Sequence, residues 1–360
     1  MTKEQKNIII LGVQVPFTRG GAELLVEKLC SEIRLRGHTA DIVQLPFSAI
    51  PKANVAKEIV RWRALDLTEF AGRKVDVVIP TKFPSYMVQH PNKNLWLIHQ
   101  FRQLYELYGT RFGDFEVNPE DEALRLLVLE ADRIGLSECR VRYTISENVS
   151  NRLKTFLDLS SEVLIPPLPF GNDYKKAPPY VGPGESPYIL SVGRLCSIKR
   201  VDLIIRAIAE IDQSIELKIV GGADEPQIET YLKSEVEKHH LWNRVSFLGR
   251  VENDALLDLI AKSFLVYYAP FDEDFGFVAL EALSSGVPLI TAKDSGTVCS
   301  FVENEVNGLI VDPNEQAIAA GCSRLFKDVP LMQKLRSGAE KTQIDSSWDK
   351  VVGELVESSN

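Results

Sequence analysis

Short apolar runs alternate along this chain with longer stretches in which apolar residues recur every three or four positions. Residues 8–13 are apolar apart from one glycine, the mark of a buried strand. Gly20 and Gly21 then open a helical stretch to about Arg36. Leu24, Leu25, Leu29 and Ile33 form its apolar stripe, and Gly37 stops it. Residues 40–45, 75–79, 95–98 and 141–145 repeat the strand pattern, and Ser146 is placed to cap a helix from Glu147. After residue 187 the alternation begins again, with strands predicted at 188–192, 217–220, 245–248, 264–268, 288–291 and 309–311. Strands separated by helices imply crossover units and parallel sheets. The expected fold is α/β, with two doubly wound, Rossmann-like domains whose ligands collect at the carboxyl ends of strands.

The two alternations meet in a stretch that carries Pro166, Pro167, Pro169, Pro178, Pro179, Pro183 and Pro187, with Gly171, Gly182 and Gly184 among them. Such a run reads as a boundary and linker. The expected division is a first domain at 1–168, a linker at 169–186, a second domain at 187–342 and a last helix at 343–360. Length agrees, since 360 residues at roughly 150 per domain give two domains.

Composition removes several classes. Hydrophobic residues make up 45% and charged residues 25%, ordinary globular values that exclude disordered, collagenous and low-complexity chains. The net charge of -9 argues against a nucleic-acid binder. Residues 1–170 carry 22 Lys and Arg against 21 Asp and Glu, and the remainder 19 against 29. The two halves therefore present different surfaces. Cys30, Cys139, Cys196, Cys299 and Cys322 lie far apart with no CxxC pair, as expected for buried thiols in a reducing cytosol. No apolar run approaches the ~18 residues that span a bilayer. A cytoplasmic protein is expected, and peripheral contact with the membrane face stays compatible with Arg61, Trp62, Arg63, Arg140 and Arg142.

Four segments carry candidate chemistry. In the first, a strand ends at Gly193, Arg194 follows, and Lys199 comes five residues later at an expected helix start. Two fixed cations beside backbone donors suit a diphosphate, and an ordinary strand-to-helix turn accounts for them equally. The second is Gly20 and Gly21, where a ligand could approach the backbone or where the chain simply turns. The third follows the strand at 264–268: Glu273, Asp274, Phe275, Gly276, Phe277, Val278 and, inside the helix, Glu281. Free helix-start N–H groups beside carboxylates suit a ligand rich in hydroxyls and phosphates. Acidic residues also complement a helix dipole, but Glu281 sits among Ala279, Leu280, Ala282 and Leu283, where a carboxylate needs a partner. The fourth is His99, closing the strand at 95–98 and read either as a cleft residue or as a satisfied structural histidine. His38, His90, His239 and His240 read as turn or surface residues, and no metal-ligand spacing is present.

Taken in order, these segments resemble the retaining glycosyltransferases of family four (glycosyl transferases group 1), which share the GT-B fold. The resemblance covers nearly the whole chain. Gly20-Gly21-Ala22 resembles the family's amino-terminal glycine loop, and His99 its cleft histidine. Arg194 and Lys199 after Val192-Gly193 resemble the diphosphate pair. Phe247-Leu248-Gly249-Arg250-Val251 resembles the loop near the nucleobase. Glu273 and Glu281 have the family's separation, with Ser285-Gly286-Val287-Pro288 continuing the motif and Trp348 opening a last helix. Two departures are Asp274, where many members carry Gly, and Ser295-Gly296 in place of a frequent Gly-Gly.

The resemblance implies a hexosyltransferase with a nucleotide-diphosphate sugar as co-substrate and no other cofactor or metal. Arg194 and Lys199 would bind the diphosphate, Glu281 the ribose, and Glu273 with the nitrogens of Gly276, Phe277 and Val278 the sugar hydroxyls. His99 would touch the sugar from the first domain. Transfer would go by front-face substitution with retained configuration. The donor is expected to be GDP-mannose or a UDP-hexose, and the acceptor a glycan, a polyprenyl-linked molecule or a small molecule, as in polysaccharide biosynthesis. Nothing in the sequence fixes an oligomeric state. The competing readings are a nucleotide-sugar-binding subunit without catalysis and another GT-B enzyme such as a nucleotide-sugar epimerase.

Overall fold

The computed structural model describes residues 4–16, 20–168, 173–182 and 187–357. The chain forms two compact units, Met1–Pro169 with Asp345–Asn360, and Phe170–Ile344.

Unit 1 contains β1 (Asn7–Gln14), α1 (Gly21–Leu35), β2 (Thr39–Pro46), α2 (Asn54–Arg63), β3 (Glu69–Phe70), β4 (Arg73–Lys74), β5 (Val77–Pro80), β6 (Asn94–Leu97), α3 (Pro119–Ser137), β7 (Val141–Thr144), α4 (Glu147–Leu157) and β8 (Glu162–Val163). The parallel strands run β2-β1-β5 and β6-β7-β8, and isolated parallel bridges from Val78 to Lys93 and from Lys82 to His99 join the two sets. The starts of α3 and α4 follow from side-chain caps. Asn118 accepts from the Asp121 N–H and Ser146 from the Val149 N–H, each satisfying a donor that the first turn leaves free.

Unit 2 contains β9 (Tyr188–Val192), α5 (Val201–Ile208), β10 (Glu216–Val220), α6 (Pro226–Lys238), β11 (Val245–Gly249), α7 (Asn253–Lys262), β12 (Leu265–Tyr267), α8 (Phe277–Ser284), β13 (Leu289–Ala292), α9 (Val298–Phe301), β14 (Gly308–Val311), α10 (Glu315–Lys327) and α11 (Val329–Lys341). Its six strands are parallel in the order β11-β10-β9-β12-β13-β14. Successive residues face opposite sides of the sheet. Ile189, Leu265 and Tyr267 enter one apolar core, and Leu190, Val266 and Tyr268 the other.

α12 (Trp348–Val352) and a further helical turn to Glu357 belong to unit 1. Trp348 meets Trp96 edge-on at 6.3 Å between ring centroids, and the Asn94 amide donates to the Leu355 carbonyl at 2.8 Å.

Several expectations change. Residues 173–182 of the Pro/Gly-rich stretch are held on unit 2: the Ala177 N–H donates to the Ser285 carbonyl at 2.8 Å, and the Arg336 guanidinium to the Pro178 carbonyl at 3.3 Å. Residues 169–172 and 183–186 of that stretch, and Phe17, Thr18 and Arg19, lie outside the described residues. His38 and His90 are buried, not surface residues. The His38 Nδ1 accepts from the Lys6 N–H, and the His90 Nε2 bonds the Val75 carbonyl. Cys30, Cys139 and Cys322 are buried, whereas Cys196 and Cys299 are half-exposed. Among the described residues no helix is long and apolar enough to cross a membrane.

Candidate active site

The strand order of unit 2 reverses between β9 and its neighbour β12. Their carboxyl ends are therefore where an open α/β sheet places a ligand. Beyond β9 the chain turns at Gly193, with φ +145, and passes close to the end of β10. A Cβ on Gly221, which itself has φ +138, would lie 1.8 Å from the Gly193 carbonyl oxygen. Only glycine fits there. Arg194 comes next, and its Nη1 is 2.7 Å from the Asp224 carboxylate. Arg250, past β11, is exposed and lies over Gly222, where a Cβ would sit 3.2 Å from its Nε.

Lys199 does not stand at the helix start. It ends a short 3-10 turn, Ser197–Lys199, and its N–H donates to the Cys196 carbonyl at 3.0 Å. Arg200 then takes a left-handed conformation, φ +51, and α5 begins only at Val201. The Lys199 ammonium donates to Glu273 Oε2 at 2.6 Å and to the Tyr268 hydroxyl at 3.0 Å. Burial works to lower its pKa, but the Glu273 carboxylate and the Tyr268 oxygen outweigh it and hold the group above its ordinary value.

The segment after β12 is fixed by backbone geometry. Gly276 has φ +93, and a Cβ there would meet the Val298 Cγ2 at 2.7 Å. The Thr297 N–H donates to the Glu273 carbonyl at 3.0 Å and its hydroxyl to the Asp274 carbonyl at 2.9 Å. Phe275 is buried, with ring centroids 4.7 Å from Phe277 and 5.3 Å from Phe301. Its side chain is core, so only its backbone can meet a ligand. The Ala279 N–H is taken by the Gly276 carbonyl at 3.0 Å, while those of Phe277 and Val278 have no acceptor among the described residues. Glu281 lies in α8, buried, its carboxylate with no hydrogen bond or ion pair among the described residues, and burial pushes that carboxyl up to about 7.

Unit 1 connects the remaining candidates. Gly20 is the N-cap of α1 and Gly21 its first residue. The Gly20 N–H donates to Glu23 Oε2 at 2.9 Å, and Glu23 Oε1 is 2.7 Å from the buried Lys82 ammonium. Burial works to raise the Glu23 pKa, but Lys82 and the Gly20 N–H hold it below its ordinary value. Lys82 in turn bridges by backbone to His99, whose Nδ1 is 2.8 Å from the Gln100 carbonyl.

Sequence reasoning missed Asp224, Tyr268, Arg200, Glu23 and Lys82. Arg200 is buried and ties three loops together. Its Nε donates to the Ala269 carbonyl at 2.8 Å, its Nη2 to the Pro270 carbonyl at 2.9 Å, and its fork grips Asp294 at 2.8 and 2.7 Å. The partners lie tens of residues away in sequence, so no local pattern marks them. The one available signal is a charged residue next to Lys199 at the head of the strongly apolar 201–208 stretch. Among the described residues no group of three or more His, Cys, Asp or Glu side chains is placed to hold a metal ion.

Residues 175–342 match the profile of the family described as glycosyl transferases group 1. Unit 2 belongs to the glycosyl transferases group 1 family. The chain is 33% identical over 191 residues to a D-inositol 3-phosphate glycosyltransferase of Salinispora arenicola, a match covering 49% of this chain and 42% of the relative. It therefore spans less than half the length of that relative. An N-acetyl-alpha-D-glucosaminyl L-malate synthase of Bacillus anthracis is 23% identical over 352 residues, 95% of this chain and 87% of the relative. Sucrose-phosphate synthase from Thermosynechococcus elongatus superposes with a TM-score of 0.75 at 17% identity, over 98% of this chain and 95% of that one. At that identity the likeness shows a shared fold, GT-B.

Proposed function

We propose that the chain is a retaining hexosyltransferase that moves a sugar from a nucleotide-diphosphate donor to an acceptor hydroxyl. The observation that carries this reading is the buried Glu281 carboxylate, without a partner among the described residues, on the helix that follows Glu273 in a group 1 unit. A buried carboxylate needs hydrogen-bond donors, and ribose hydroxyls supply them. The Phe277 and Val278 N–H groups, without an acceptor among the described residues, suit oxygens of the donor sugar. Lys199 and Arg194 would take the diphosphate, partly exchanging Glu273 and Asp224 for phosphate oxygens. The resemblance adds a sugar contact for His99.

In the proposed reaction the bond from the anomeric carbon to the phosphate oxygen breaks as the acceptor oxygen bonds the same face of that carbon. The acceptor proton passes to the leaving phosphate oxygen. The charge that develops on the diphosphate is met by the fixed cations, so the proposed step runs without a metal. GDP-mannose and UDP-hexoses are the donors to test first. The names of the two relatives pair a glycosyl group with D-inositol 3-phosphate and with L-malate, which supports a small-molecule acceptor among the three acceptor classes.

The test is a thermal-shift screen against UDP, GDP, ADP and dTDP, followed by sugar release from the matching donors with and without D-inositol 3-phosphate or L-malate. One diphosphate should stabilise the protein, and its sugar donor should turn over. No stabilisation by any of the four sinks the reading.

A further inference from the structure

Two consecutive tyrosines close the end of β12, and both reach the turn that carries Lys199. The Tyr267 hydroxyl donates to the Arg200 carbonyl at 3.0 Å, below the sheet in one apolar core. Tyr268 faces the other core and is 6% exposed. Its N–H donates to the Ile290 carbonyl at 3.0 Å, which fixes the backbone, and its ring edge lies 3.4 Å from where a Gly276 Cβ would be. Burial in that core leaves the ring little room to turn. Its hydroxyl is 3.0 Å from the Lys199 ammonium, which also lies 5.2 Å from the ring centroid. Burial, helped by the charge of the nearby Glu273 carboxylate, keeps that hydroxyl protonated. The Lys199 ammonium thus has two acceptors, the Tyr268 hydroxyl and the Glu273 carboxylate.

A lysine ammonium sits on a flexible four-carbon stem, so its position depends on its partners. If Glu273 were the sole partner, the ammonium would follow that carboxylate or be released whenever it turned to a sugar hydroxyl. A neutral oxygen on a rigid ring holds the ammonium without cancelling its charge. We propose that Tyr268 is a positioning residue of the donor site, its hydroxyl keeping the Lys199 ammonium at the end of β12 for the donor diphosphate while Glu273 serves the sugar. The inference rests on the donor reading given above and names the residue that arms its principal cation.

Tyr268→Phe removes one oxygen and keeps the packing. The probes are UDP and GDP by calorimetry, together with donor kinetics. The variant should bind the preferred diphosphate about tenfold more weakly, because the ammonium is no longer held in place for it. Its ligand-free unfolding midpoint should fall only slightly, since Glu273 still holds the ammonium. Added to Lys199→Ala, the Tyr268→Phe change should cost nothing further, because the hydroxyl acts through the ammonium. Unchanged diphosphate affinity in Tyr268→Phe overturns the proposal, as does a full additional loss in the double variant. Wild-type protein that binds neither diphosphate overturns the donor reading itself, and the two failures are thereby told apart.

Discussion

A carboxylate and an ammonium carry most of the argument for the donor site, and each makes a separate prediction. Glu281 has its carboxyl pushed up to about 7 from an ordinary 4.5 by burial alone. A carboxyl raised in this way stabilises the fold, relative to higher pH, while it is protonated. That contribution is complete below about 4.5 and lost as the pH rises through about 7. The difference corresponds to on the order of 3 kcal/mol. Glu281→Gln should therefore raise the unfolding midpoint at pH 8 and change it little at pH 5, followed by calorimetric scanning. The same variant should lose nucleoside diphosphate affinity at pH 8, because the ionised oxygens accept from the ribose. A stable variant with unaltered affinity would leave Glu281 as a buried acid and nothing more. For Lys199, removal of the cation should raise the barrier by about 3 kcal/mol, by analogy with oxyanion donors. Lys199→Ala with unchanged turnover and donor affinity would end its assignment.

At the scale of elements, the loops after β9, β12 and β13 are locked by Arg200 more than by their own turns. Its guanidinium is buried, while its partner Asp294 is about one-third exposed. Replacing Asp294 by Asn keeps the shape and removes the counter-charge. The expected cost is about 3 kcal/mol, the low end for breaking a buried pair, since solvent reaches one side. Chemical denaturation measures it, and a loss below about 0.5 kcal/mol would class the pair with ordinary surface contacts. Elements of this kind also divide what the sequence reveals from what it hides. Strands such as β1, β9 and β13 are apolar runs between polar helices, so their places follow from the chain alone to within a residue or two. The α8 start was legible because Gly276 ends a loop just before an apolar helix. Lys199 was placed wrongly relative to α5, because nothing local announces that Arg200 will adopt a left-handed conformation, φ +51. Its stabilising contacts come from Ala269, Pro270 and Asp294. Lys82, Glu23, Tyr268 and Asp224 were hidden for the same reason: each gains its meaning from a partner on a distant element.

The whole chain shows the same dependence on distant partners in its charge and in its end. The acidic excess of residues 171–360 is partly counter-charge, since Arg194, Lys199 and Arg200 each face their own carboxylate. The last residues make the stronger case. Val351, Val352, Leu355 and Val356 are each fully buried. The Lys6 ammonium donates to the Val356 carbonyl at 2.7 Å, and the Tyr143 hydroxyl to Glu354 at 2.6 Å. Four buried aliphatic side chains at about 1.5–3 kcal/mol each give roughly 6–12 kcal/mol of gross stabilisation. That is comparable to the 5–15 kcal/mol net stability of a typical domain. Unit 1 should therefore not hold together without residues 345–360, although they are remote from it in sequence. Unit 2 makes its own sheet and both of its cores from residues 170–344. Deleting 345–360 should then abolish hydrogen-exchange protection in β1, β5 and β6 while β9, β10 and β12 stay protected. Nucleoside diphosphate binding should survive in the truncated chain, because Lys199, Glu273 and Glu281 all lie in unit 2. Equal loss of protection in both units would show that they fold as one cooperative body.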